Sequence, residues 1–192
     1  MISTPRNSSN KISSSGGGTA FLIREPFTQL PTSVPDFSSF ESSSVTQQLS
    51  HSKLSVFNIY RPPSSSTHSK PFSVFLDDFS TFLSSAATTP HEFITTGDFN
   101  IHLDNPADTL TSQFLSYSLL SSFNLSQHVH FPTHDKNHIL DLVITSSDTL
   151  LAPAVSVTHI THPTTFLSSP DCLLTQHHSL LQHFTLSGGY TP

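Results

Sequence analysis

The sequence predicts an α/β or α+β fold, with short strands outnumbering helices and the helices packed outside a sheet. Three observations carry this expectation. Apolar residues alternate at period two in several short segments. They recur at helical spacing in two longer ones. Pro, Ser, Asn and Gly punctuate the intervals. A chain of 192 residues suits one domain. Hydrophobic residues at 34% and charged residues at 10% are both low for a globular protein, but sixteen Phe supply material for a core.

The elements follow in order. Residues 1–15 are rich in Ser and Asn and read as a disordered polar tail, and 188–192 as a second tail. GGGTAFLIR, 16–24, reads as glycine followed by a short strand, and 25–42 as loop. SSVTQQLSHS, 43–52, is a strand of mixed polarity. KLSVFNIYRPP, 53–63, is a clearer one: Leu54, Val56, Asn58 and Tyr60 share one face and Phe57 and Ile59 the other, and Pro62 and Pro63 end it. In 71–87, Phe72, Phe75, Leu76, Phe79, Phe82 and Leu83 mark the core face of a helix. Pro71 suits its first turn, and Asp77 and Asp78 fall on its outer side.

HEFITTGDFN, 91–100, is a strand. A second helix is expected over 109–123, with Leu110, Phe114, Tyr117 and Leu120 inward and Asp108 or Thr109 as cap. Strands are expected at 125–131, 138–147 and 153–160. Residues 165–178 have no clean period, and 179–187 read as a last strand. One folded domain over 16–187 results, with no internal repeat.

Net charge is −6 with seven Lys plus Arg, a weak electrostatic footprint for a nucleic-acid binder. The thirteen His read mainly as solvated surface. His128, His130, His134 and His138 cluster in sequence, but their spacing matches no recognised zinc pattern. With Cys172 alone, no intrachain disulfide forms, as suits a reducing compartment. The first residues have no apolar signal core, and no run approaches the ~18 apolar residues of a membrane helix. A soluble intracellular protein, nuclear or cytoplasmic and without a membrane partner, is the expectation.

The chemistry concentrates in TTGDFNIHLD, 95–104. In extended backbone, Asp98 and Asn100 would point the same way, presenting a carboxylate beside an amide. An ordinary aspartate titrates near 3.9 and is ionised at neutral pH, suited to accept a proton or hold a water. The amide offers a donor and an acceptor. Gly97 permits close approach of another backbone or a substrate. The same residues also make an Asx turn after a strand, which is the plainer reading. Three further residues weigh against that reading alone. Tyr60 closes the strand at NIYRPP, Thr133 follows one at HFPTH, and Asp141 lies inside ILDLVIT, where a carboxylate is costly to bury without a partner.

FNIYRPP, TTGDFNIHLD and HFPTHDKNHILDLVITS, in this order and spacing, resemble the endonuclease/exonuclease/phosphatase superfamily, above all the endonuclease domain of non-LTR (LINE-type) retrotransposons. The resemblance runs from about GGGTAFLIR to the strand at 153–160. It implies a four-layer sandwich of two mixed β-sheets flanked by helices. It implies hydrolysis of a phosphodiester with Mg²⁺ (or Mn²⁺) and an activated water. DNA is the implied partner, within a larger reverse-transcriptase polyprotein. By resemblance, Asp98 orients or deprotonates the water and is the metal ligand. Asn100 binds and stabilises the scissile phosphate, and Tyr60 donates to it. Thr133 positions the nucleic-acid backbone, and Asp141 orients a catalytic histidine.

The sequence also departs from that pattern. The family's domain opens with a strand bearing Asn and an element bearing a metal-binding Glu, both before the glycine-rich strand. Here only MISTPRNSSNKISSS precedes it, so the expected fold lacks its N-terminal strands. Asn7 and Asn10 lie in the polar tail, and Glu25 and Glu41 follow the strand. The family's terminal Ser-Asp-His is replaced by SSPDCLL, with Pro170 and Cys172 flanking Asp171 and His177 and His178 out of register. The reading is a truncated copy with weak metal binding and impaired activity. Two alternatives stay open: a non-enzymatic remnant of a mobile-element reading frame, and another phosphatase or nuclease of the same superfamily.

Overall fold

The strand Lys53–Tyr60 is buried at every position after the first, so its two faces meet two different cores. Phe57 and Ile59 join a large cluster with Phe75, Phe79, Phe82, Phe93, Phe99 and Phe114. Leu54 and Val56 join a smaller one with Val45, Ile94, Val143 and Phe21. The structure is a computed structural model. It describes residues 2–4, 19–23, 29–30, 34–49, 52–64, 70–117, 119–134, 136–149, 153–158, 172–177 and 180–186.

The chain order is β1 (Ile2–Thr4), β2 (Thr19–Ile23), β3 (Gln29–Leu30), β4 (Glu41–Gln48), β5 (Lys53–Tyr60), α1 (Phe72–Ala87), β6 (Glu92–Asp98), α2 (Thr109–Ser116), α3 (Leu119–Ser122), β7 (Leu125–Gln127), β8 (Asp141–Ser146), β9 (Pro153–Thr158), β10 (Cys172–His177) and β11 (Leu180–Leu186). Six strands form one sheet in the order β3-β4-β5-β6-β8-β7, and five form a second in the order β1-β2-β10-β11-β9. The β5–β6 pair is parallel and is joined through α1, as a parallel connection requires a crossover. The other strand pairs are antiparallel. The fold is α/β, as expected. Among the described residues no helix is long and apolar enough to cross a membrane.

Helix α1 forms because its apolar residues recur on one face; Phe75, Leu76, Phe79, Phe82, Leu83 and Ala86 are buried. Its aromatic rings stack along the helix, Phe75 on Phe79 at 5.5 Å and Phe79 on Phe82 at 5.9 Å. Phe99 meets Phe79 edge-on at 5.3 Å. Phe21 of β2 reaches the opposite face of the six-stranded sheet and is fully buried there. Beside it Thr19 Oγ1 donates to Ser43 Oγ at 2.7 Å. The second sheet thus meets the face that the helices leave open.

Several expectations need correction. Ile2–Thr4 pair with β2 rather than joining a polar tail, while residues 5–18 and 187–192 lie outside the described residues. The 25–42 loop contains β3 and the start of β4. Asp78 does not simply face water: its Oδ2 accepts from the backbone N–H and hydroxyl of both Ser38 and Ser39. The helix expected over 109–123 divides into α2 and α3, which turns Tyr117 outward to 49% exposure. Its hydroxyl donates to Asp77. Asp108 does cap α2, accepting from the Leu110 and Thr111 amides. The strand expected at 125–131 ends at Gln127, although Val129 stays buried. Residues 172–177, without a clean period, form β10 between β2 and β11.

Phe79 touches rings on its own helix and on the loop after β6, so its loss leaves a cavity at the centre of the larger core. Phe79→Ala is expected to cost about 3–5 kcal/mol. The denaturant midpoint should fall accordingly, with little change in slope.

Candidate active site

The parallel register of β5 and β6 runs from Leu54 opposite Glu92 to Tyr60 opposite Asp98. Near its end Gly97 faces Ile59 with φ of +138°, and a Cβ built there would lie 1.8 Å from the Ile59 carbonyl oxygen. Only glycine permits that approach. Beyond it the Arg61 N–H donates to the Asp98 carbonyl at 2.9 Å, extending the pairing past Tyr60.

A transverse row results at one end of the sheet. Glu41 opens β4 opposite Tyr60, Tyr60 lies opposite Asp98, and Asp98 lies opposite Asp141 at the start of β8. Directly opposed residues project from the same face of a sheet. Here it is the face of Leu54, Val56, Ile94 and Val143, which looks toward Phe21 of the second sheet. Tyr60 and Asp141 are buried, at 8% and 3% exposure, while Asp98 is half-buried. Glu41 was set aside in the sequence because it follows the glycine-rich strand. Its place in the row depends on the β4–β5 turn, in which the Leu49 N–H donates to the Ser52 carbonyl. Gln48 Nε2 donates to both the Leu49 and the Ser52 carbonyl.

Asn100 joins Asp98 by a route other than extended backbone. The strand ends at Asp98, and Asn100 takes a left-handed φ of +49°. Its N–H donates to Asp98 Oδ1 at 2.8 Å, and its Nδ2 donates to Asp98 Oδ2 at 3.0 Å and to the Arg61 carbonyl at 2.7 Å. The Asx turn and the juxtaposition are therefore one arrangement. An amide nitrogen carries two hydrogens, and both are engaged here. The phosphate contact expected of Asn100 requires one of these bonds to be exchanged.

Thr133 is buried, at 2% exposure, and its Oγ1 accepts from the Leu140 and Asp141 amides at 3.0 and 3.1 Å. It holds the start of β8, and so sets Asp141. The neighbouring loop is tied to the turn after β6. Phe99 N–H donates to the Leu140 carbonyl and Leu103 N–H to the Ile139 carbonyl. Asp104 accepts from the Ile139 amide at 2.8 Å and meets His138 Nδ1 at 3.1 Å, and the His138 ring stacks on His102 at 4.3 Å. Burial would push the Asp104 carboxyl up, but the bonds from Ile139 and His138 outweigh it and hold it below the usual value.

Arg61 is the second residue that sequence reasoning passed over, though it stands inside NIYRPP. Its guanidinium is buried, over the Phe72 ring at 5.0 Å and the Phe75 ring at 5.3 Å. Burial lowers it to about 10, against the Asp98 and Asp108 carboxylates, which raise it. Among the described residues no group of three or more His, Cys, Asp or Glu side chains is arranged to hold a metal ion. Asp98, half-buried at the end of its strand, could supply a carboxylate to a hydrated Mg²⁺, which needs only one or two of them together with waters and phosphate.

The family described as "Endonuclease-reverse transcriptase" matches residues 54–169, more than half of the chain. No curated protein matches. Among solved structures, the endonuclease domain of TRAS1, a telomere-specific non-LTR retrotransposon, is 17% identical. That match covers 76% of this chain and 62% of the other, with a TM-score of 0.48. An endonuclease/exonuclease/phosphatase family protein from Leptotrichia buccalis C-1013-b is 12% identical over 90% of this chain and 62% of that one, with a TM-score of 0.44. The human Nocturnin catalytic domain with bound sulfate anion is 16% identical over 84% and 60%, with a TM-score of 0.46. The chain thus spans about three fifths of the length of each of these structures.

Two outcomes check this geometry. Gly97→Ala would force β5 and β6 apart beside the row. It is expected to destabilise the protein by more than the about 1 kcal/mol of an ordinary glycine substitution, read by thermal unfolding. Because the Asp104 carboxyl is held low, its contribution to stability is complete above the usual value of 3.8 and is lost as pH falls through the depressed value. Asp104→Ala should therefore flatten the decline of stability on acidification below about 3.8, measured by urea unfolding across that range.

Proposed function

The chain belongs to the endonuclease-reverse transcriptase family, and from that membership we propose a metal-dependent phosphodiesterase domain that nicks DNA by hydrolysis, weakly in this form. The observation that carries the reading is the row of Tyr60, Asp98 and Asp141 across three adjacent strands, with Asn100 folded back onto Asp98. In this reading residues 16–187 form the catalytic domain, inside the cell and within a larger reverse-transcriptase polyprotein.

Each residue has a separate task. Asp98 orients the attacking water and takes its proton; it is half-buried, so water can reach it. Asn100 holds the Asp98 carboxylate and exchanges one amide bond to meet the scissile phosphate. Tyr60 donates to the same phosphate as charge develops on it. Asp141, fixed through its backbone by Thr133, is the carboxylate that would orient a histidine. Asp98 would also hold Mg²⁺ or Mn²⁺, which when bound supplies positive charge against the phosphate.

Weak activity follows from a motif that differs. SSPDCLL supplies no phosphate-binding histidine in register. Members of a catalytic unit act together, so losing one removes most of the rate. The chain alone is expected to give only trace nicking of supercoiled plasmid with Mg²⁺ or Mn²⁺. Asp98→Ala should abolish that trace, and Asn100→Ala should reduce it about a hundredfold. Placing a Ser-Asp-His at SSPDCLL should raise nicking while keeping its dependence on Asp98. Robust nicking that survives Asp98→Ala would overturn the reading.

A further inference from the structure

Arg61 is a charged side chain at 4% exposure, and taking a cation out of water is costly without full compensation. Its compensation here is incomplete. Nη1 donates to the Pro62 carbonyl at 3.0 Å and Nη2 to Ser64 Oγ at 3.3 Å. The face of the guanidinium lies on Phe72 and Phe75. Nε has no hydrogen-bond partner among the described residues. An apolar side chain of similar length would fill this space at lower cost. The expense of an arginine at this position calls for a role besides filling.

The backbone of the same residue supplies one. Its N–H donates to the Asp98 carbonyl at 2.9 Å, and its carbonyl accepts from Asn100 Nδ2 at 2.7 Å. One peptide unit on each side of the Arg61 Cα therefore grips each of the two residues that carry the proposed chemistry. This grip lies just beyond the end of β5, where the Arg61 bond to Asp98 is itself the last of the β5–β6 pairing. What holds it is the side chain, clamped by the first turns of α1 and by Pro62. We propose that Arg61 is the positioning residue of the active site: its clamped guanidinium fixes the backbone that sets Asp98 and Asn100. The Asp98 and Asp108 carboxylates pull in the same direction, each favouring the charged guanidinium against its burial. A planar fork on two rings is not reproduced by an ammonium, so Lys is a poor substitute.

This inference rests on the proposed nuclease reading for its meaning but not for its test. The side-chain amide of Asn100, followed by ¹⁵N NMR and assigned by its loss in Asn100→Ala, reports the grip whether or not the chain cuts DNA. In Arg61→Met, with the fold verified by circular dichroism, the two amide protons should collapse toward the positions of a free amide. Arg61→Lys should not restore them. Millimolar guanidinium added to Arg61→Ala should. In a nicking assay Arg61→Met should lower kcat about tenfold to a hundredfold with KM within about twofold. If Arg61→Met does not fold, Phe72→Leu removes one stacking partner and should shift the same resonances partway. Unchanged Asn100 resonances in whichever of these variants folds, or full restoration by Lys, would overturn the assignment. Loss of the resonances alongside nicking indifferent to Asp98→Ala would sustain the positioning role and sink the nuclease reading alone.

Discussion

The close approach of Gly97 to the Ile59 carbonyl is the constraint on which the site depends. It lets β5 and β6 stay parallel and in register to their last residues, so that Tyr60 ends beside Asp98. With a side chain at that point the strands would separate one residue short of the functional pair. The row Glu41, Tyr60, Asp98 and Asp141 then follows from ordinary strand pairing on either side. Four segments far apart in sequence reach one line because each stops or starts at the same level of the sheet.

The local field is acidic in a chain that is acidic overall. Glu41, Asp98 and Asp141 contribute three carboxylates to one edge, and Arg61 stands behind them with its charge turned into an aromatic pocket. The arrangement separates two demands. The carboxylate that meets water, Asp98, is half-buried, as is the Asn100 that bonds it, whereas Arg61 behind them is buried. Thr133 and Arg61 each meet the backbone of an aspartate out of reach of solvent, Thr133 through its Oγ1 to the Asp141 N–H and Arg61 through its own N–H to the Asp98 carbonyl.

Much of this was legible in the sequence where period and capping speak locally. The Phe stripe of α1, the two faces of β5 and the Asp108 cap all follow from residues within a few positions of one another. The proximity of Asp98 to Asn100 was legible too, but for a different reason: a left-handed turn brings them together, where extended backbone had been inferred. What was not legible depends on register and long-range partners. Glu41 joins the row only through a hairpin turn at Leu49 to Ser52 that has no signature dipeptide. Asp78 looks like any exposed helix carboxylate until Ser38 and Ser39 are folded against it. The break between α2 and α3 keeps the helical period, so periodicity alone ran through it and buried Tyr117 wrongly.

The two ways in which β5 gains neighbours differ in conformational entropy. β4 joins it by closing a four-residue turn, a local event. β6 joins it only after the intervening chain, with the 16 residues of α1, has docked on the sheet, and the entropy of closing that larger loop is greater. β8 pairs with β6 on one side and β7 on the other. If assembly proceeds from the hairpin outward, the acidic row is completed last. A partly folded chain with hairpin and helix intact sets Glu41 beside Tyr60, yet neither has Asp98 or Asp141 to work with.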